Sequence, residues 1–163
     1  MKNRKTVKNV FYQASEFVEL VESKYYSKKD NFSKIPIYIN CLFACELFLK
    51  AILLADGINV KVLKSKQHHL CDLYLMLNDK RKEDINNWMQ VFHLTNIIEL
   101  LDKINNDYID VRYMYIDGHP NKEIIDMHSL SQFMYKLQND LGRELFGYDY
   151  YLKKKQEKLS SKT

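Results

Sequence analysis

The stretch that most constrains the fold is residues 35–55, IPIYINCLFACELFLKAILLA, in which apolar side chains would cover nearly the whole circumference of a helix. The stretch is long enough to span a membrane, but it contains Asn40, Glu46 and Lys50. Each charge near the middle of a span costs roughly 2.5–3.5 kcal/mol on insertion scales. We therefore predict a central helix packed on several sides, in a cytoplasmic protein with no membrane partner.

Two charged residues of this helix form a distinct pattern. Glu46 and Lys50 are four positions apart, so they lie on the same helical face and are able to pair. Charged groups on the most buried helix need partners or a solvated cleft. Two interpretations stay open: a self-satisfying ion pair, or a substrate-binding cleft to which Glu46 and Lys50 contribute.

The rest of the chain also has apolar residues at helical spacing, and it contains only four Gly and two Pro, which suits long helices better than a multi-stranded sheet. The spacing predicts helices over about 7–25, 33–57, 70–77, 82–106 and 126–147, with 58–67 as a polar connector holding a short extended piece. The sequence thus predicts an all-α fold, a five-helix up-and-down bundle. Residues 1–150 are predicted to form one domain, and 151–163 a basic, frayed C-terminal tail.

Composition excludes several classes of function. The net charge of +4 comes largely from lysines near the termini, which is weak support for a polyanion partner. Cys41, Cys45 and Cys71 lack a C-x-x-C spacing and predict buried thiols in a reducing compartment. His68 and His69 are interpreted as capping or flanking a helix. We expect no metal and no cofactor, and there is no glycine-rich phosphate loop, Ser-His-Asp set or recognition helix.

A family resemblance rests on residues 40–77, NCLFACELFLKAILLADGINVKVLKSKQHHLCDLYLML. This stretch resembles the HEPN domain family, whose central helix carries an E…LKALL…G pattern followed by a linker and an H-x-L…L helix. The matching residues are Glu46, Leu49, Lys50, Ala51, Leu53, Gly57, His68 and Leu70. The layout of the remaining helices, over about residues 5–147, is similar to that of the family.

The resemblance implies a HEPN-like helical bundle, commonly a homodimer, and in many members a metal-independent endoribonuclease of toxin, phage-defence or RNA-processing systems. The active motif of those members is an arginine and a histidine with four to six residues between them. Arg112 and His119 in DVRYMYIDGH have that spacing and precede the last predicted helix. RNA and a second copy of the chain are therefore the expected partners, together with an antitoxin if the protein is a toxin.

The residue types suit the chemistry. Metal-free RNA cleavage needs a base for the 2′-hydroxyl, a cation for the phosphoryl oxygens and an acid for the departing 5′-oxygen. A histidine is able to take up and release a proton near neutral pH, which suits His119 to the proton transfers, and a guanidinium such as that of Arg112 binds phosphate through paired N–H groups. Tyr113 and Tyr115 are candidates for stacking on unpaired bases.

The same segment has a structural interpretation. Tyr113 and Tyr115 would close the end of the bundle, Arg112 would lie over their rings or pair with Asp110 or Asp117, and His119 would sit exposed in a turn. The alternative function is then a noncatalytic HEPN-like module that binds RNA, nucleotides or protein. A nucleotidyltransferase is a possible partner for such a module.

Overall fold

The computed structural model describes residues 3–25, 34–66, 68–104 and 126–160, which contain helices and no strand. The helices are α1 (Arg4–Tyr25), α2 (Lys34–Ala55), α3 (Val60–Ser65), α4 (Leu70–Leu75), α5 (Asp79–Val91), α6 (97–104), α7 (Met127–Phe146) and α8 (Tyr148–Ser160). The all-α prediction is confirmed. The prediction of five helices was wrong, because these ranges hold eight.

Helix α2 lies at the centre of the molecule. It packs along α1 and also contacts α7 and α4, so nearly every side of it meets another helix. Phe48 and Leu49, which point to different sides, are both fully buried. This all-round burial explains the absence of a polar face in the sequence.

Helix α2 also has the length and apolar composition of a membrane span over Ile35–Ala55. It is the one such helix among the described ranges, and 72% of its most apolar window is buried inside the protein. The core helix of a soluble protein passes the same test.

Gly57 ends α2. The N–H of Ile58 donates to the carbonyl of Leu53 (2.9 Å), and the N–H of Gly57 donates to that of Leu54 (3.1 Å). This pair of hydrogen bonds requires a left-handed residue at Gly57. Its φ is +94°, a conformation that glycine adopts without strain. The chain therefore turns sharply toward α3 and α4.

The predicted helix over 82–106 is broken in two. α5 ends at Val91, and the same capping pattern follows, with Leu94 N–H bonded to Met89 O (2.9 Å) and His93 at φ +51°. Asn96 then accepts from the N–H of Ile98 (2.9 Å) at the start of α6. The left-handed residue is a histidine, so no glycine marks the break.

Two further predictions of local structure were wrong. The connector after α2 contains helix α3, capped by Asn59 Oδ1, which accepts from Lys61 N–H (2.8 Å), and its described residues, 58–66, include no strand. Residues 151–160, predicted as part of a frayed tail, lie in α8.

An arginine joins three elements on one side of the bundle. Arg81, in the first turn of α5, donates to both carboxylate oxygens of Asp56 (3.0 and 2.8 Å), just after α2. It also donates to both oxygens of Glu144 on α7 (2.5 and 3.1 Å). Burial lowers the pKa of Arg81, but its bonds to Glu144 and Asp56 outweigh that effect and raise it above its ordinary value. The arginine is therefore a charged clamp between α2, α5 and α7.

Candidate functional site

The sequence predicted six site residues, and they fall into two groups. Arg112, Tyr113, Tyr115 and His119 lie outside the described residues. Glu46 and Lys50 lie on α2, so the geometry of the candidate site begins with them.

Glu46 is a carboxylate inside the core, with 5% of its surface exposed. Lys50 Nζ, one turn further along α2, donates to Glu46 Oε1 at 2.5 Å. A buried carboxylate without a partner would cost several kcal/mol, so this pairing compensates part of the cost of burial. The i, i+4 pairing predicted from the sequence is confirmed; a role of either residue in substrate binding stays a prediction.

His68 completes the arrangement. Its Nδ1 atom lies 2.9 Å from Glu46 Oε2, so the two oxygens of one carboxylate contact two different basic side chains. An ionised carboxylate only accepts hydrogen bonds, so the geometry assigns the proton on Nδ1 to the bond with Glu46. Nε2 is then the nitrogen that is basic when the ring is neutral.

The burial of the two partners is very different. The Glu46 side chain is 7% exposed, whereas 44% of the His68 side chain is exposed. The carboxylate thus orients the imidazole from inside while much of the ring faces solvent. This is the arrangement of a base held by a third group in many acid–base sites.

Aromatic rings support the imidazole from the side. The ring of Phe43, one turn before Glu46 on α2, meets the His68 ring edge-on, with centroids 6.4 Å apart and an interplanar angle of 78°. Phe43 in turn packs on Phe17 of α1 at 5.6 Å. The segment that leads into α4 is therefore held against α2 at the position of His68.

The Glu46–Lys50–His68 cluster has two chemical capabilities. Neutral His68 is able to accept a proton from a bound group and return it later, while Glu46 stabilises the imidazolium that forms. The ammonium of Lys50 adds a fixed positive charge on the other oxygen. The same cluster also has a structural interpretation. Glu46 contacts both Lys50 and His68, so these contacts fasten the chain before α4 to α2.

The three cysteines do not form a reactive site. Burial raises the pKa of Cys71 to about 11, and the neighbouring carboxylates of Asp102 and Asp72 act in the same direction. Burial, together with Cys41, also holds the pKa of Cys45 well above its ordinary value. The thiolate forms of Cys45 and Cys71 are therefore scarce at neutral pH. Within the described ranges, no three His, Cys, Asp or Glu side chains are close enough together to hold a metal ion.

In comparisons with known proteins, no family model matches the chain, and no curated protein and no solved structure matches it significantly. The helices of the described residues define an all-α protein, and the HEPN resemblance rests on the sequence of residues 40–77.

The sequence did not identify His68 as a partner of Glu46. The two residues are 22 positions apart, so no helical spacing connects them. His69 was predicted to cap or flank a helix; it lies directly before α4 and makes no side-chain capping bond, so the structure shows it flanking the helix. The signal that pointed to His68 was the H-x-L element of the resemblance, which the sequence interpretation took as part of a helix start.

Proposed function

We propose that this chain is a HEPN-like endoribonuclease that cleaves RNA without a metal ion, with Arg112 and His119 as its catalytic pair. In this proposal the protein acts as a homodimer in a toxin or phage-defence system. Arg112 binds the scissile phosphate, and His119 transfers protons between the 2′-hydroxyl, which attacks phosphorus, and the 5′-oxygen, which leaves. The products are a 2′,3′-cyclic phosphate and a 5′-hydroxyl.

The observation that carries the proposal is the buried carboxylate of Glu46 with an imidazole at 2.9 Å and an ammonium at 2.5 Å. Metal-free phosphodiester cleavage uses the same two kinds of group, a titratable base and a fixed cation. Glu46, Lys50 and His68 also belong to the stretch that resembles the HEPN family. His68 therefore stands beside His119 as a second candidate for proton transfer.

The second candidate function is a noncatalytic HEPN-like module that binds RNA, nucleotides or protein, including a nucleotidyltransferase. The specific observation in its favour is that Lys50 and Glu46 bind each other inside the bundle. A pair of that kind is typical of a structural ion pair in a buried helix.

Cleavage assays separate these possibilities. The full chain is incubated in EDTA with single-stranded RNA and with transfer RNA, beside Arg112→Ala, His119→Ala and His68→Ala. His69→Ala is the matched control, because it removes the adjacent imidazole, which makes no capping bond. The proposal expects a 2′,3′-cyclic product from wild type and a loss of roughly 100-fold or more in rate for Arg112→Ala and His119→Ala.

Each other outcome contradicts a part of the proposal. Loss of cleavage in His68→Ala alone would move proton transfer to the Glu46–His68 pair and exclude the Arg112–His119 site. An inactive wild type, folded by circular dichroism, would leave the noncatalytic module as the function.

A further inference from the structure

The bundle has an end where basic and aromatic side chains alternate, formed by the beginning of α1, the end of α7 and α8. We define the tyrosine–lysine face as Lys8, Tyr12, Arg143, Tyr148, Tyr150 and Lys154. Its three tyrosines are among the exposed large hydrophobic residues of the described ranges, with Tyr12 at 44%, Tyr148 at 54% and Tyr150 at 49%. None of these residues belongs to the Glu46–Lys50–His68 cluster.

Lys154 is the centre of this face. Its Nζ atom lies 5.3 Å from the ring centroid of Tyr150, 5.7 Å from that of Tyr12 and 5.3 Å from that of Phe146. Burial lowers the pKa of Lys154, but the hydroxyls of Tyr150 and Tyr12 outweigh that effect and raise it. The ammonium is therefore charged at every working pH and held in place among rings.

The ring of Phe146 connects Lys8, Tyr12 and Tyr150. Its ring lies 6.0 Å from Tyr12 and 5.8 Å from Tyr150, and Lys8 Nζ lies 5.2 Å from its centroid. Arg143, one turn before Phe146 on α7, places its guanidinium 4.8 Å from the centroid of Tyr148. Lys8, Tyr12, Phe146, Tyr150 and Lys154 thus form one cluster across three helices, and Arg143 with Tyr148 forms a second cation–ring pair at the junction of α7 and α8.

A cleft extends from this face between α1, α7 and α8. It has a volume of about 170 Å³, and Tyr12, Phe146 and Lys154 form part of its wall. Ser15 and Gln138 add polar groups, with Gln138 Nε2 donating to Ser15 Oγ at 3.2 Å. The face therefore continues into a recess with apolar, hydrogen-bonding and charged walls, the last including Glu19, Glu22 and Lys158.

We propose that the tyrosine–lysine face binds single-stranded RNA, with unpaired bases stacked on Tyr148 and Tyr150 and the phosphates held by Lys8, Arg143 and Lys154. Stacking on rings and contacts from fixed cations are the two means by which proteins hold single strands without reading their sequence. A duplex presents phosphates but hides the faces of its bases, so it uses only half of this surface. The proposal rests on the proposed function only in the choice of RNA as the nucleic acid.

Fluorescence anisotropy with a labelled 2′-O-methyl oligouridylate tests the proposal. The 2′-O-methyl group blocks cleavage, so binding is measured whether or not the protein is a nuclease. We expect Tyr148→Ala and Tyr150→Ala each to weaken binding roughly 10-fold, and Tyr148→Phe, which keeps the ring, to bind like wild type. Lys154→Gln should weaken binding and flatten the dependence of affinity on salt.

The control is Lys82→Gln, which removes a lysine of α5 that pairs with Asp79 outside the face. Circular dichroism establishes that each variant is folded. Equal affinity of all variants, or equal affinity for a duplex of the same length, would overturn the proposal. So would binding to vesicles with anionic headgroups in the absence of binding to the oligonucleotide, since that result would assign the face to a membrane surface.

Discussion

The Nδ1 atom of His68 lies 2.9 Å from Oε2 of Glu46, although 22 positions separate the two residues in the chain. The carboxylate comes from the most buried helix, and the imidazole from the short segment that precedes α4. This bond joins the core to a partly exposed basic group. The loss of Glu46 should therefore have different consequences from the loss of His68.

Glu46→Gln should destabilise the protein more than His68→Asn does. In Glu46→Gln the amide carries no charge to compensate Lys50. In His68→Asn the carboxylate of Glu46 keeps its pair with Lys50, and the side chain that is replaced is 44% exposed. We expect the free energy of unfolding in urea to fall by roughly 1–3 kcal/mol for Glu46→Gln. Glu16→Gln, at an exposed position of α1, is the matched control. A Glu46→Gln protein as stable as wild type would contradict a compensating role for this carboxylate.

Arg81→Met should loosen the contact between α2, α5 and α7. The substitution keeps the length of the side chain but leaves Asp56 and Glu144 without their shared cation. We expect the free energy of unfolding in urea to fall by roughly 2 kcal/mol, because the hydrogen bonds of Arg81 are charge-assisted and bidentate. Lys82→Met, which breaks the neighbouring exposed pair with Asp79, should have no measurable effect. If both variants lose the same amount, the clamp is no stronger than a surface ion pair.

Asp126 should make the start of α7 sensitive to acid. It accepts from Ser129 N–H (3.0 Å) and Thr95 Oγ1 (2.9 Å). Burial acts to raise its pKa, but the bonds from Ser129 and Thr95 outweigh that effect and hold the pKa below its ordinary value. A carboxyl with a depressed pKa in the folded state stabilises the fold above the pKa of the unfolded chain, and this contribution is lost as pH falls through the folded pKa.

The test compares wild type with Asp126→Asn and Asp126→Ala by urea denaturation between pH 7 and pH 3. Asp126→Ala should cost about 1 kcal/mol at pH 7, because the cap is lost. Asp126→Asn retains an acceptor for Ser129 N–H and cannot be protonated, so its stability should approach that of wild type below roughly pH 4. A constant difference across the whole range would show that the charge of Asp126 contributes nothing.

The cysteines should resist thiol reagents in the folded protein. Cys41 and Cys45 are fully buried, and a pKa of about 11 for Cys71 leaves about one thiolate in a thousand at pH 8. With Ellman's reagent we expect the absorbance to rise slowly in buffer, and all three thiols to react rapidly in denaturant. Rapid reaction of one thiol in buffer would show that one of these sites opens without global unfolding.

The sequence predicted α1, α2 and α7 because each buries side chains that recur at helical spacing, which is a local property. Its errors came from interactions that have no local signature. The break after α5 depends on a left-handed His93, where a glycine would have been the usual signal. Helix α8 is rich in lysine, and its attachment depends on the rings of Tyr12 and Phe146 and on the carboxylate of Glu19.

The candidate site divides in the same way. The pairing of Glu46 with Lys50 follows from their spacing of four, and the structure has it at 2.5 Å. The contact of Glu46 with His68 follows from the path of the chain through α3, which the sequence did not predict. Arg112 and His119 remain a prediction from their motif.

Helix α8 is fastened to the bundle by ring–ammonium contacts and by the pair of Lys158 with Glu19 at 2.5 Å, and none of its described side chains is part of the buried core. Substitutions on the side of α8 that faces away from the bundle are therefore able to change the number of lysines there without repacking the interior. Lys154 is different, because it both holds α8 in place and is one of the cations that we propose for RNA binding, so a change at Lys154 affects both properties.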